Sequence, residues 1–170
     1  MVKSRTRDMV YMAFMLVHIP ATCFVDMHAL PFISNLLPEA SRLVYQIAHK
    51  DDPLLQSAHT PAFAWFRSFL LLEILFQLPT FVYGSWALWR DNTTVYPLLT
   101  IYGASTATTT LACLATVLQM PLTRERQAIL LAEYVPFCLL PLAMAVDYGL
   151  RLTKMVKSVN PRVAKGDKSM

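Results

Sequence analysis

The chain has 170 residues, of which 55% are hydrophobic and 15% charged, and its formal net charge is +4. A soluble domain carries about 25% charged residues, so the composition excludes an ordinary water-soluble fold, and the length suits one compact membrane domain. The basic excess sits at the two ends of the chain, which sets aside a nucleic-acid-binding surface.

Taken in chain order, the first expected span covers residues 9–28. It follows Lys3, Arg5 and Arg7, as a secretory leader would. His18, Pro20 and Asp26 interrupt the apolar run, however, and no small-residue cleavage site follows, so a retained span is expected. The long connection from Met27 to about Pro61 is punctuated by Pro31, Pro38 and Pro53. Within it, Glu39–Lys50 places Leu43, Ile47 and neighbours on one helical face, predicting a short amphipathic helix at the membrane surface. Asp52 followed by Pro53 reads as an N-cap and first helical position, so both are expected to play a structural part in a lid over the bundle.

Further spans are predicted over 64–89, 95–118 and 127–148, each near the roughly 20 residues that cross the hydrocarbon core. Short polar turns join them. The predicted fold is thus an all-α, four-transmembrane-helix bundle over residues 1–150, followed by a basic tail, 151–170, expected to be disordered. Four crossings put both chain ends on one side. Lys3, Arg5, Arg7, Arg151, Lys154, Lys157, Arg162, Lys165 and Lys168 mark that side as cytoplasmic. Arg42, Lys50, Arg124 and Arg126 fall on the other side, so the asymmetry is weaker in the loops. Pro20, Pro79, Pro136 and Pro141 lie inside spans, where kinks open cavities as readily as they stay without function. Cys23, Cys113 and Cys138 fall in three separate spans with no metal-binding spacing, so no metal site is expected, and the sequence implies no cofactor.

Acidic residues at membrane depth carry the strongest chemical signal, since a charge there costs at least ~2.5–3.5 kcal/mol. Asp26 ends the first span and Glu73 sits near the start of the second, so topology brings them to a similar depth. His18, Thr22 and Asp26 are spaced i, i+4, i+8 on one stripe, and Glu73 and Gln77 are i, i+4 on another. Thr106, Thr109, Thr110 and Cys113 share a face of the third span, where packing between helices is, for that helix alone, the stronger explanation for the hydroxyls. The fourth adds Glu133 and Tyr134. Two carboxyl groups meeting in a dry place hold about one proton between them, leaving one negative charge for an amine and one acid to donate a hydrogen bond. Met27, Phe66, Phe69, Phe76, Tyr134 and Phe137 supply an apolar surround for a sterol-sized body.

The motifs His18–Asp26 (HIP-x-T-x-F-x-D, reading across), Asp52–Gln56 (DPLLQ), Ala64–Phe69 (AWFRSF) and Glu73–Pro79 (E-x-x-FQLP) resemble the sigma-2 receptor branch of the EXPERA family, which also contains the emopamil-binding sterol isomerases. The resemblance covers roughly residues 5–150 and is tighter in the first half. It implies a homodimer in the endoplasmic reticulum membrane and the nuclear envelope, with a buried site that opens towards membrane lipid. Carried over by motif, Asp26 forms the salt bridge to a ligand amine and Glu73 is hydrogen-bonded beside it. His18, Gln77, Thr109 or Thr110, and Tyr134 line the cavity, while Asp52 buttresses the lid. The implied ligands are sterols, oxysterols and cationic amphiphilic drugs. The pattern departs at Glu133, where the family has an apolar residue, and at Phe137, where it has tyrosine.

A non-enzymatic receptor or carrier in sterol trafficking is therefore the leading expectation, with no catalytic residue assigned. A sterol Δ8–Δ7 isomerase is the second, since Asp26 and Glu73 supply two carboxyl groups for acid and base. The isomerase branch, by resemblance, has a histidine four residues before the second-span glutamate and an acid on the third span. Phe69 and threonines stand there instead. A membrane chaperone or quality-control adaptor is the third.

Overall fold

The computed structural model describes residues 2–159, and among them all regular structure is helical. Helix α1 spans Val2–Phe24 and passes into a 3-10 turn, Asp26–Ala29. Three short helices follow: α2 (Pro31–Ser34), α3 (Glu39–Asp51) and α4 (Pro53–Ser57). The second crossing is composite, with α5 (Ala64–Leu72), a π-helical turn over Glu73–Gln77, and α6 (Leu78–Trp89). Helix α7 covers Tyr96–Gln119 and α8 covers Arg124–Val159.

Four helical stretches are long and apolar enough to cross a bilayer: Arg5–Ala29, Pro61–Trp89, Thr93–Gln119 and Arg124–Val159. In lipid every backbone polar group must be satisfied within the chain, which is why such runs become helices. The molecule is a multi-pass, all-α bundle of four such helices, as the sequence predicts. Helix α7 packs most extensively on α8, and α1 on α6. Gly103 makes the first approach close: a Cβ there would meet the Pro141 carbonyl oxygen at 2.4 Å and the Ala145 nitrogen at 2.8 Å.

The π turn has a local cause. Pro79 has no N–H to offer the carbonyl four residues back, and its ring crowds that carbonyl. The chain widens just before the proline, and the Leu78 N–H bonds the Glu73 carbonyl five residues earlier. Such single-turn bulges recur at functional sites.

The two ends of the bundle differ. Where the chain ends meet, Asp8 accepts hydrogen bonds from Arg151 (2.6 Å) and Tyr148 (3.0 Å), and Asp147 accepts from Arg7 and Arg151 (2.5 Å each). The Arg151 guanidinium also lies over the rings of Tyr148 and Tyr96. Arg5 pairs with Asp91 and donates to the Leu88 carbonyl at 2.9 Å. Below this cluster Met15, Phe81, Leu99, Tyr102, Met144 and Tyr148 form a fully buried core.

These contacts correct one expectation. The segment from Arg151 is not structureless at its start: α8 runs on to Val159, because Arg151 is bound to Asp147 one turn back and to Asp8 on α1. The rest of the expected disordered tail, including Arg162, Lys165 and Lys168, lies outside the described residues.

At the other end a second apolar cluster, including Leu30, Leu54, Leu55, Phe66, Leu70, Val117 and Leu130, seats the short helices on the bundle. Helix α3 leaves Leu43 and Val44 exposed, while Tyr45 and Ala48 pack against this cluster.

Candidate functional site

A cavity of about 510 Å³ lies between the bundle and the short helices. Small-molecule sites run to roughly 300–1,000 Å³. Each of the four crossings contributes to it. Helix α1 supplies His18 and Ala21, and the segment just beyond it supplies Val25 and Asp26; α5 and the π turn supply Phe66, Phe69, Leu70, Glu73 and Gln77. Helix α7 adds Thr106, Thr109, Thr110 and Cys113, and α8 adds Glu133, Tyr134 and Phe137. Ile47, Ala48, Asp52 and Leu55 close it from the side of the short helices, which therefore form a lid.

At its centre the Asp26 and Glu73 carboxyl groups are neighbours in the cavity lining. Two neighbouring carboxyl groups screened from water repel each other when both are charged, which favours one proton held between them. Glu73 Oε1 accepts from the Thr22 hydroxyl at 2.5 Å. Thr22 is fully buried, and its hydroxyl lies 3.2 Å from the His18 carbonyl as well. With one hydrogen to give, the shorter contact to the carboxylate is the stronger. Asp26 keeps some accessible surface because it faces the cavity, whereas Gln77 is buried.

His18 is held on three sides by rings. It stacks on Phe81 at 4.7 Å, packs against Phe137 at 4.6 Å and meets the edge of Phe14 at 5.4 Å. Its Nε2 lies 3.7 Å from Glu73 Oε1, beyond hydrogen-bond range. Its Nδ1 has no hydrogen-bond partner among the described residues, which leaves one unfilled polar position on a ring that lines the cavity.

Asp52 has a different part. Its Oδ1 accepts from the Leu54 N–H at 2.7 Å and the Leu55 N–H at 3.4 Å, capping α4 with Pro53 at the first helical position. Its Oδ2 accepts from the Tyr134 hydroxyl at 2.5 Å. One carboxylate thus starts a lid helix and fastens it to α8. Burial, with the Asp52 charge nearby, raises the Tyr45 phenol above its ordinary pKa, so it stays a neutral donor. Arg126 donates to the Lys50 carbonyl at 3.0 Å, a second tie between lid and α8. At the other end of α3, the Ser41 hydroxyl donates to the Pro38 carbonyl at 2.6 Å, so its 2.7 Å contact with His28 is best filled by the His28 Nε2–H.

Of the residues expected at the site, Asp26, Glu73, His18, Gln77, Thr109, Thr110, Glu133, Tyr134 and Phe137 all line this one cavity, and Asp52 caps the lid beside it. Met27 and Phe76 stand outside the lining, against expectation. Helix α1 ends at Phe24, and the tighter 3-10 winding that follows sends Met27 away from Asp26. Phe76 packs into the other core. Glu133 is exposed and sits at the rim. Thr22 as a direct donor to Glu73, and the lid residues Ile47, Ala48 and Leu55, are absent from the expected set. The i, i+4 spacing already placed Thr22 on the right stripe.

The lining holds four acidic side chains and one imidazole, with no lysine or arginine among the described residues. Such an arrangement suits a ligand with an apolar body and a cationic or hydroxylic head.

Comparison with known proteins agrees with this architecture. The family described as EBP: EXPERA (EXPanded EBP superfamily) matches residues 40–148. Sigma intracellular receptor 2 of Macaca fascicularis and that of Homo sapiens are each 32% identical over 149 residues, covering 78% of this chain and 81% of the relative. Efficient mitochondria targeting-associated protein 19 of Schizosaccharomyces pombe is 29% identical over 150 residues, covering 86% and 77%. A match over more than half its length, with relatives of this similarity, means that the chain belongs to the EXPERA family.

Proposed function

We propose that the chain is an intracellular membrane receptor or carrier, which binds sterols, oxysterols or cationic amphiphiles in the acidic cavity and takes part in sterol homeostasis or trafficking. The single observation that carries this reading is the neighbouring Asp26 and Glu73 carboxyl groups, set in a cavity whose lining has no lysine or arginine among the described residues. Asp26 acts as the counter-ion of a ligand amine, and Glu73 holds it in place. Phe66, Phe69 and Phe137 receive the apolar body; His18, Gln77, Thr109 and Thr110 offer polar contacts. The basic chain ends favour a cytoplasmic location for both termini, and the family resemblance favours the endoplasmic reticulum membrane and a homodimer.

The test is displacement of a radiolabelled cationic amphiphile from membranes containing the full chain. Asp26→Asn removes a charge-assisted hydrogen bond of about 1.5–3 kcal/mol, so affinity should fall roughly 10- to 100-fold. Unchanged binding would remove Asp26 from the site. Restored growth of a strain lacking sterol isomerase would instead favour the enzyme reading. The fission-yeast relative is named for mitochondrial targeting, which favours a second reading: the cavity receives an apolar segment of a partner protein. Loss of amphiphile binding with retention of a co-purifying protein would support that alternative.

A further inference from the structure

The cavity has two ends, and the direction of each helix tells them apart. Helices α1 and α7 run towards the lid, while the second crossing and α8 run away from it. The lining residue farthest from the lid is therefore His18 on α1, Gln77 on the second crossing, Thr106 on α7 and Phe137 on α8. These four form a floor. Thr22, one turn nearer the lid than His18, bonds Glu73, so the floor lies roughly 5 Å below the acids. Phe66, Phe69 and Leu70 precede Glu73 in the second crossing and lie on the lid side of it.

The floor is polar, and two of its polar atoms are unpaired. His18 is 8% exposed and Thr106 3% exposed. Neither the His18 Nδ1 nor the Thr106 hydroxyl has a hydrogen-bond partner among the described residues. Buried polar atoms left in this way are uncommon and call for a partner. The Phe81 ring brings the two residues together. His18 stacks on it at 4.7 Å, and Tyr102, one turn before Thr106 on α7, meets its edge at 5.4 Å. The His18 Nε2 faces Glu73 Oε1 at 3.7 Å, which favours the ring proton on Nε2 and leaves Nδ1 to accept. A threonine hydroxyl can donate as well as accept, and the buried Gln77 amide lines the same floor.

The occupant that suits this floor donates to one atom and accepts from the other, and a hydroxyl oxygen does both. An ammonium has no lone pair for the Thr106 hydroxyl, and a methyl group satisfies neither atom. We infer that the floor is a hydroxyl subsite, and that the ligand it selects is an amphiphilic amino alcohol. The amine meets Asp26 and Glu73, the hydroxyl donates to His18 Nδ1 and accepts from Thr106, and the apolar body lies towards Phe66, Phe69 and Leu70. The inference rests on the receptor reading above and narrows its ligand class. The short step from the acids to the floor requires amine and hydroxyl on adjacent or next-but-one carbons. A trapped water offers the same oxygen chemistry, and the two sources differ in what they do for a ligand.

The experiment compares octadecylamine with 2-aminooctadecan-1-ol as displacers of a radiolabelled cationic amphiphile from the purified full chain. In the parent chain the amino alcohol should act at about tenfold lower concentration, because it fills hydrogen bonds that the plain amine leaves unmade. Thr106→Val keeps the side-chain shape without the hydroxyl and should bring the ratio close to one, whereas Thr106→Ser should preserve it. Asp26→Asn should weaken both displacers and leave their ratio in place. A ratio near one in the parent chain, with both displacers still dependent on Asp26, would overturn the hydroxyl subsite alone and leave the floor to water. A ratio that survives Thr106→Val would overturn it too. Displacers indifferent to Asp26→Asn would remove the receptor reading, and this inference with it.

Discussion

The bundle holds acidic residues at both ends, and they are set in opposite circumstances. At the end formed by the chain termini, Asp8 and Asp147 are each met by arginine at hydrogen-bond distance, with Arg151 bridging the two. At the lid end, Asp26 and Glu73 meet each other, and the space around them contains no lysine or arginine among the described residues. The same residue types thus form a closed clasp in one place and an open site in the other. The difference lies in whether the sequence supplies a cation. Buried carboxylates that are already paired hold helices together; a pair left with one charge and room beside it is available to a ligand.

The comparison is broken most severely at Arg151. Replacing it with methionine leaves both acids of the clasp short of their shared partner, and removal of one member of a buried ionic cluster costs about 3–5 kcal/mol. Thermal unfolding of the purified protein should show a large loss of stability; a change within measurement error would mean that the clasp does not join α1 to α8. At the lid end, Tyr134→Phe deletes a 2.5 Å hydrogen bond to a charged carboxylate, an interaction of about 1.5–3 kcal/mol. Hydrogen exchange across α3 and α4 should quicken and ligand should dissociate faster, with little effect on α1. Exchange that stays slow would show that the lid is held by its apolar contacts alone. The smallest effect is expected from Arg5→Gln. The Arg5–Asp91 pair is 40% and 71% exposed, and exposed pairs contribute about 0–1 kcal/mol. Its unfolding temperature should stay close to that of the parent chain, separating a surface pair from the clasp one turn away.

Several parts of this arrangement are legible in the residues. Blocks of apolar sequence give the four crossings, because the bilayer fixes their length. The i, i+4, i+8 set His18, Thr22 and Asp26 marks an inward face, and Asp52–Pro53 announces a helix start. What stays hidden depends on contacts between distant segments. The π turn at Glu73–Gln77 is an exception with a local cause, Pro79, yet a proline alone does not announce it, since Pro20, Pro136 and Pro141 lie within α-helix. Arg7 and Arg151 read as topology-setting charges in the sequence, yet both bond to acids, across as many as 143 residues. For the same reason the helix extends to Val159, where composition alone suggested a loose tail. Met27 illustrates the converse: a residue next to Asp26 in sequence is turned out of the cavity by one 3-10 turn.

The central claim is that Asp26 and Glu73 hold one proton between them in a space that lacks a cation. Infrared spectroscopy of the protein in membranes, through the stretching band of a protonated carboxyl group, reads this directly. At neutral pH the parent chain should show that band, Asp26→Asn and Glu73→Gln should each remove or displace it, and a bound amine should shift it. A parent spectrum without the band, or a band untouched by both substitutions, would contradict the account.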